Sequence, residues 1–273
     1  MSAISPKTGC ITFEVVSNEP VAEGIWRMVC HTPVAAQIEA GQFVNIQVPG
    51  DGAHILRIPL SFSQASRSNE TLELVYAVVG EGTRRLSAMR PKDKSTLVGP
   101  CGNGWWLPSG EGRALLVAGG VGLPPIVACA RMLARANVPF DVIVGAQTAN
   151  KHVEDLIDCL RSLPLEGKCD CSRKVLVTTD DGTRGIRGFT TTAMEDLLAE
   201  NSYASVYTCG PNVMMAGVSR LASVRGMDCQ VSLERMMGCG FGACSCCNVE
   251  LVDGGYALCC QDGPVFDAKE AAW

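Results

Sequence analysis

The sequence predicts three units in one chain: an antiparallel β-barrel over residues 1–108, a parallel-sheet α/β domain over 109–228, and a small cysteine-rich domain over 229–273. Three observations carry that reading. Apolar and polar residues alternate with period two through the first stretch. Apolar strand runs then alternate with helical periodicity through the second. In the third, six of the chain's 15 cysteines crowd into residues 235–263. A length of 273 residues accommodates two compact domains and a small appendage.

The barrel rests on ITFEVVSNEP (11–20), GIWRMVCHTP (24–33), QFVNIQVPG (42–50) and TLELVYAVVGEG (71–82), each alternating and each ending in turn formers. In the α/β stretch, ALLVAGG (114–120) is a continuous apolar run closed by glycines. LPPIVACARMLARA (123–136) then repeats apolar residues at helical spacing. FDVIVGA (140–146), KVLVTTDDG (174–182) and SVYTCGP (205–211) are further buried-strand candidates with helical stretches between them. That order predicts a parallel sheet covered by helices on both faces.

Composition narrows the function classes. A hydrophobic content of 47% and a charged content of 19% are those of a packed globular protein. The formal charge of −5, with no long Lys/Arg cluster, argues against nucleic-acid binding. The opening MSAISPKTGCITFEVV lacks a basic segment followed by an apolar one, so no secretory signal is expected. The most apolar window, 114–133, is broken by three glycines and Pro124-Pro125, whereas a membrane span needs about 20 mostly apolar residues. An odd number of scattered cysteines without secretory context points to a reducing cytoplasm, not a disulfide scaffold. Cys10, Cys30, Cys101, Cys129, Cys159, Cys169, Cys171, Cys209 and Cys229 are read mostly as small buried residues.

The remaining six cysteines need a separate account. Cys239-x4-Cys244-x2-Cys247, followed by a fourth cysteine about a dozen residues on, has the plant-type ferredoxin spacing for a [2Fe–2S] cluster. Gly238, Gly240 and Gly242 interleave the ligands, so the backbone can take positive φ and aim N–H groups at the sulfides. VELVDGGYALC supplies a strand, a turn and a strand to bring the fourth ligand back. A structural zinc site more often shows a second C-x2-C pair, absent here. A zinc-stabilised, non-redox binding module is the competing class.

Other motifs suit nucleotides. In ILRIPLSFS (55–63), Arg57 is a candidate cation for a phosphate and Ser61 a hydrogen-bonding group for a flavin edge; an Arg and a Ser at a strand end are also commonplace. Tyr76, Ala77 and Val78 precede a glycine turn, and Gly82 and Thr83 would open a helix whose N–H groups suit a pyrophosphate. VAGGVGLPPI joins a buried strand to a helix. Its Gly119, Gly120 and Gly122 permit close approach of a nucleotide phosphate, although it is no G-x-G-x-x-G match. Cys209 and Gly210 in TCGPNVMM would sit at the carboxyl edge of the sheet, where α/β proteins bind ligands. Asp180-Asp181-Gly182 reads as a turn by default.

Taken in order, R-x-P-[LI]-S, G-x-G-T, GG-x-G and CGP-x-x-M resemble the ferredoxin–NADP reductase superfamily over about 200 residues. The tail, CQVSLERMMGCGFGAC…CCQDGPVFDAKEAAW, resembles the electron-transfer subunits of NAD-dependent dihydroorotate dehydrogenases. The resemblance implies FAD on Arg57, Ile58, Pro59, Leu60, Ser61, Tyr76, Ala77, Val78, Gly82 and Thr83. It implies NAD(H) as substrate near Gly119, Gly120, Val121 and Gly122 and near Cys209, Gly210 and Pro211. It also selects the fourth cluster ligand: the family's C-x-D-G-P-V-F matches from Cys260, giving Cys239, Cys244, Cys247 and Cys260. Cys259 then faces away, since adjacent strand residues point to opposite faces. One departure is Ile58, where many relatives carry a second arginine. That feature is closer to the small subunits of NADH-dependent ferredoxin:NADP oxidoreductases.

The implied function is an electron relay with no catalytic residue of its own for dihydroorotate. An FMN-containing catalytic dihydroorotate dehydrogenase subunit is the implied partner, in a heterotetramer. The same relay serving a ferredoxin-linked oxidoreductase or a sulfide dehydrogenase is the alternative. Gln147 in GAQTANK favours NAD over NADP, and Lys151 keeps NADP open.

Overall fold

The computed structural model describes residues 8–50, 55–165 and 172–273. The extreme N-terminus, Cys169 and Cys171 lie outside them. Six strands close an antiparallel barrel: β1 (Gly9–Ala22), β2 (Ile25–His31), β3 (Phe43–Ile46), β4 (Ile58–Ser66), β5 (Thr71–Ala77) and β6 (Lys94–Cys101). They lie in the order β1-β2-β5-β4-β3-β6. Full closure leaves no free sheet edge. The sequence does not announce β6: KSTLVGPC opens on three polar residues and runs into Gly99-Pro100. It is held by pairing on both sides, with β1 and with β3. Alternation sends Phe13, Met28, Val44, Ile46, Leu72 and Leu74 into the barrel core. The short helix α1 (Glu81–Ser87) follows β5.

The second layer is a seven-stranded sheet flanked by α2 (Leu123–Arg135), α3 (Glu154–Ser162), α4 (Thr190–Glu200) and α5 (Asn212–Val224). Its strands are β7 (Ala114–Gly119), β8 (Phe140–Ala146), β9 (Val175–Thr179), β10 (Ile186–Arg187), β11 (Ser205–Cys209), β12 (Asp228–Ser232) and β15 (Val265–Asp267), in the order β10-β9-β8-β7-β11-β12-β15. All pairs are parallel except β12 with β15. Strand order reverses between β7 and β11. A crevice therefore opens at their carboxyl ends, the position where doubly wound sheets bind ligands. β7 is wholly buried, as its unbroken apolar run requires.

The tail does not stand apart from this sheet. β12 spans the expected boundary at 228/229, and β15 returns from the far end of the chain to pair with it. Between them lie the cysteine loop and a hairpin of β13 (Asn248–Glu250) and β14 (Tyr256–Leu258), as VELVDGGYALC predicts. Phe43, Val98 and Cys101 of the barrel share one core with α4, α5 and the tail, and Ala128 of α2 joins the barrel core. The three units are thus welded by common apolar packing.

Candidate functional site

The cysteine loop winds over residues 238–247 with Gly240 at φ 80° and Gly242 at φ 84°, conformations that side chains rarely adopt. These turns aim amides at sulfur. Phe241 N–H and Ala243 N–H point at Cys239 Sγ at 3.5 and 3.2 Å, and Cys239 N–H points at Cys244 Sγ at 3.4 Å. Burial pushes the Cys239 thiol up, but the Phe241 amide, Cys244 and the Ala243 amide outweigh it and bring it down to about 7. Cys260 neighbours Cys247 and the Gly242 amide; burial and the neighbouring Cys247 push its thiol up to about 12. Cys239 thus neighbours Cys244, and Cys247 neighbours Cys260.

No three His, Cys, Asp or Glu side chains among the described residues converge as ligands of one metal ion. Two pairs of thiols, each beside the other and backed by amides, instead fit a group with two irons and four thiolate ligands. The remaining two cysteines of the segment go elsewhere. Cys246 is exposed, and Cys259 is buried with its Sγ donating to the Leu233 carbonyl at 3.3 Å. The C-x-D-G-P run has its own logic. Asp262 Oδ2 accepts the Leu258 N–H at 2.7 Å, and Asn103 Nδ2 donates to the Gln261 and Asp262 carbonyls at 2.9 and 3.1 Å.

Beside this loop lies a cavity of about 440 Å³. Pro59 and Ser61 of β4 and Phe43 of β3 form one wall; Ser232 to Met237, Cys259 and Pro264 form the other. Such a volume, with apolar walls and a few polar groups, suits a small-molecule ring system. Strand alternation turns Leu60 the other way, against the barrel core. Ile58 packs where a Cβ on Gly82 would come within 3.0 Å of it. Arg57 lines neither cavity. Its guanidinium donates to the Thr96 carbonyl and hydroxyl, both at 3.2 Å.

Two of the flavin candidates carry structural duties instead. Tyr76 is buried in the barrel with its hydroxyl on Asn18 Oδ1 at 3.0 Å, so only its backbone is left for a ligand. Thr83 accepts the Val79 and Gly80 N–H groups at 3.0 and 3.2 Å, closing the start of α1, which begins one residue earlier than expected.

A second cavity of about 810 Å³ occupies the crevice between β7 and β11 and extends to the barrel. Gly119, Gly120 and Pro211 line it, together with Ala77 and Val78. The two glycine turns touch: a Cβ on Gly122 would lie 2.1 Å from the Cys209 carbonyl, and one on Gly210 would lie 3.0 Å from the Gly119 amide. Cys209 itself is turned inward, Sγ toward the Ser232 carbonyl at 3.6 Å, and burial pushes its thiol up. Lys151 Nζ donates to Gln147 Oε1 at 2.6 Å inside the same cavity.

Sequence reasoning missed three residues here. Asp180, read as a turn, lines the larger cavity, as does the exposed Phe189. Glu234 lines the smaller one; it is open to the cavity yet desolvated by the atoms around it, which raises its carboxyl above the ordinary range. Its signal is its place two residues past the end of β12, at the carboxyl edge of the sheet.

Comparison with known proteins agrees with this layout. Residues 234–271 match the iron–sulfur cluster binding domain of dihydroorotate dehydrogenase B, and residues 116–220 match the oxidoreductase NAD-binding domain. The chain is 32% identical to the dihydroorotate dehydrogenase B (NAD(+)) electron transfer subunit of Desulforamulus reducens, over 95% of this chain and 97% of that one. It is 34% identical to the subunit of the same name from Streptococcus pneumoniae, over 93% and 95%. Among solved structures, the NADH-dependent reduced ferredoxin-NADP oxidoreductase superposes with a TM-score of 0.80 at 30% identity, covering 95% of this chain and 89% of that one. The ferredoxin reductase of carbazole 1,9a-dioxygenase shares the fold at 20% identity, with a TM-score of 0.68 over 82% of this chain and 68% of that one. This chain belongs to the family of dihydroorotate dehydrogenase B (NAD(+)) electron transfer subunits.

Proposed function

We propose that this chain relays electrons between NAD(H) and a catalytic, FMN-containing dihydroorotate dehydrogenase subunit, using FAD and a [2Fe–2S] cluster. The observation that carries the reading is a shared wall. The smaller cavity is bounded on one side by barrel residues Pro59 and Ser61 and on the other by Cys259, the residue next to Cys260. A ring held in that cavity would lie against the residue next to Cys260, a candidate iron ligand. When bound, the groups supply the redox chemistry: a two-electron exchange at the nucleotide, and single electrons at the cluster.

The chain's own residues do the rest. Gly119 and Gly120 let the backbone approach a nucleotide phosphate, Gly122 lets the two glycine turns touch, and Ala77 and Val78 continue that cleft into the barrel. Pro59 and Ser61 flank the ring site. Glu234, its carboxyl raised by desolvation, holds a proton beside it at higher pH than a solvated glutamate does. Cys239, Cys244, Cys247 and Cys260 hold the cluster, and the Phe241 and Ala243 amides offset its negative charge. Among the described residues no helix is long and apolar enough to cross a membrane. All described cysteines are free, which supports a cytoplasmic location.

The likeness to an NADH-dependent ferredoxin-NADP oxidoreductase supports a second reading, the same relay with another redox partner. An acceptor assay separates the two. With NADH the purified chain reduces artificial acceptors, and it neither binds nor oxidises dihydroorotate until the catalytic subunit is added. Electron transfer to a ferredoxin, with none to the dihydroorotate dehydrogenase subunit, establishes the second reading.

A further inference from the structure

Asn45 lies in the middle of β3 and is fully buried. Its neighbours Val44 and Ile46 enter the barrel core. The register with β6 shifts between Phe43 and Asn45, with the extra residue on β6, and the regular alternation of β3 turns Asn45 out of the barrel core. Asn45 Nδ2 reaches out of the barrel wall and donates to the Gly238 carbonyl at 3.0 Å, across 193 residues of sequence. A Cβ on Gly240 would lie 3.0 Å from the same nitrogen and 3.3 Å from Asn45 Cβ. The amide is therefore wedged against the residues on both sides of Cys239.

The other half of the amide is unsatisfied. Asn45 Oδ1 is buried and has no hydrogen-bond partner among the described residues. A buried acceptor without a donor destabilises a fold, and an apolar side chain of similar size avoids that cost. What asparagine adds over leucine is the donor to Gly238. The strand position adds to the point, because Asn45 pairs directly with Pro59, which lines the smaller cavity.

We propose that Asn45 is a positioning residue that pins the Cys239 end of the ligand loop to the barrel. It thereby sets the cluster's environment and its placement against the ring cavity. The inference rests on the reading of Cys239, Cys244, Cys247 and Cys260 as cluster ligands.

The test uses the full chain with flavin and cluster in place, comparing wild type with Asn45→Leu and Asn45→Asp. Asn45→Leu is expected to keep or raise the melting temperature of the iron-free protein. In the loaded protein the EPR g-values of the reduced cluster shift, and iron passes to a chelator about fivefold faster, the factor a lost hydrogen bond supplies. Asn45→Asp keeps the shape and loses the donor once its carboxyl is ionised, so at high pH it shows the same spectral change. It stands in if the leucine variant fails to fold. Unchanged g-values and iron release in a folded variant overturn the inference, as does a drop in melting temperature with no spectral change. A wild-type chain without a cluster sinks the underlying reading instead.

Discussion

The parallel sheet and the cysteine tail meet along β12 but are stabilised by different means. In the sheet, β7 and β8 are buried along their whole length, and Leu116, Val117, Val142 and Ile143 are sealed from solvent. Hydrophobic burial alone can hold such a layer. The tail has three strands of three residues each, glycines at positive φ, and a loop whose bonds run from amides to sulfur. Beyond the apolar core it shares with the sheet, its cysteine loop is ordered by what the thiols bind and by the frame that clasps it through Asn45 and Asn103. The lesson is a division of labour: a rigid frame carries the nucleotide sites, and a ligand-stapled loop carries the metal.

That contrast breaks most sharply at Cys247 and Cys260. Cys247→Ser or Cys260→Ser is expected to abolish or severely alter the cluster's visible spectrum while far-UV circular dichroism stays close to wild type. Collapse of the whole fold would show that frame and tail are one unit. Leu116→Ala attacks the frame instead. It opens a hole in the fully buried sheet core and should cost about 2–5 kcal/mol, read from denaturant unfolding of the iron-free protein. The cluster ligands are untouched by it.

Glu234 gives a smaller, pH-dependent effect. Desolvation raises its carboxyl in the folded protein, so its contribution is most favourable at low pH and is lost as pH rises through the folded value. Glu234→Gln should therefore melt higher than wild type at neutral pH, with the difference vanishing below the ordinary carboxylate range. An equal difference at all pH values would refute the desolvated carboxyl. The smallest effect belongs to the spectators. Cys246→Ser and Cys259→Ser should leave the cluster spectrum intact, because neither matches the ligand spacing and Cys259 Sγ is committed to the Leu233 carbonyl.

Local chemistry was the legible part. The apolar run of β7, the prolines in the first turn of α2 and the Asp-Gly-Gly hairpin each fold as their own residues dictate. The glycine-spaced cysteine loop was legible for the same reason. What stayed hidden depends on distant pairing. β6 exists because β1 and β3 flank it, and β15 because β12 offers an edge. Tyr76 and Thr83 sit in motifs that suit a nucleotide, yet Asn18 and the turn before α1 claim their side chains. Glu234 and Asp180 follow strand ends at the carboxyl edge of the sheet, but only the meeting of barrel, sheet and tail puts them in cavities.

The relay itself is tested most directly by an anaerobic NADH titration of the purified chain, followed by visible absorption and EPR. The account predicts flavin and [2Fe–2S] bands that bleach together and a reduced-cluster EPR signal that grows in step. A colourless protein carrying stoichiometric zinc, or a flavin that bleaches while an intact cluster stays oxidised, would contradict it.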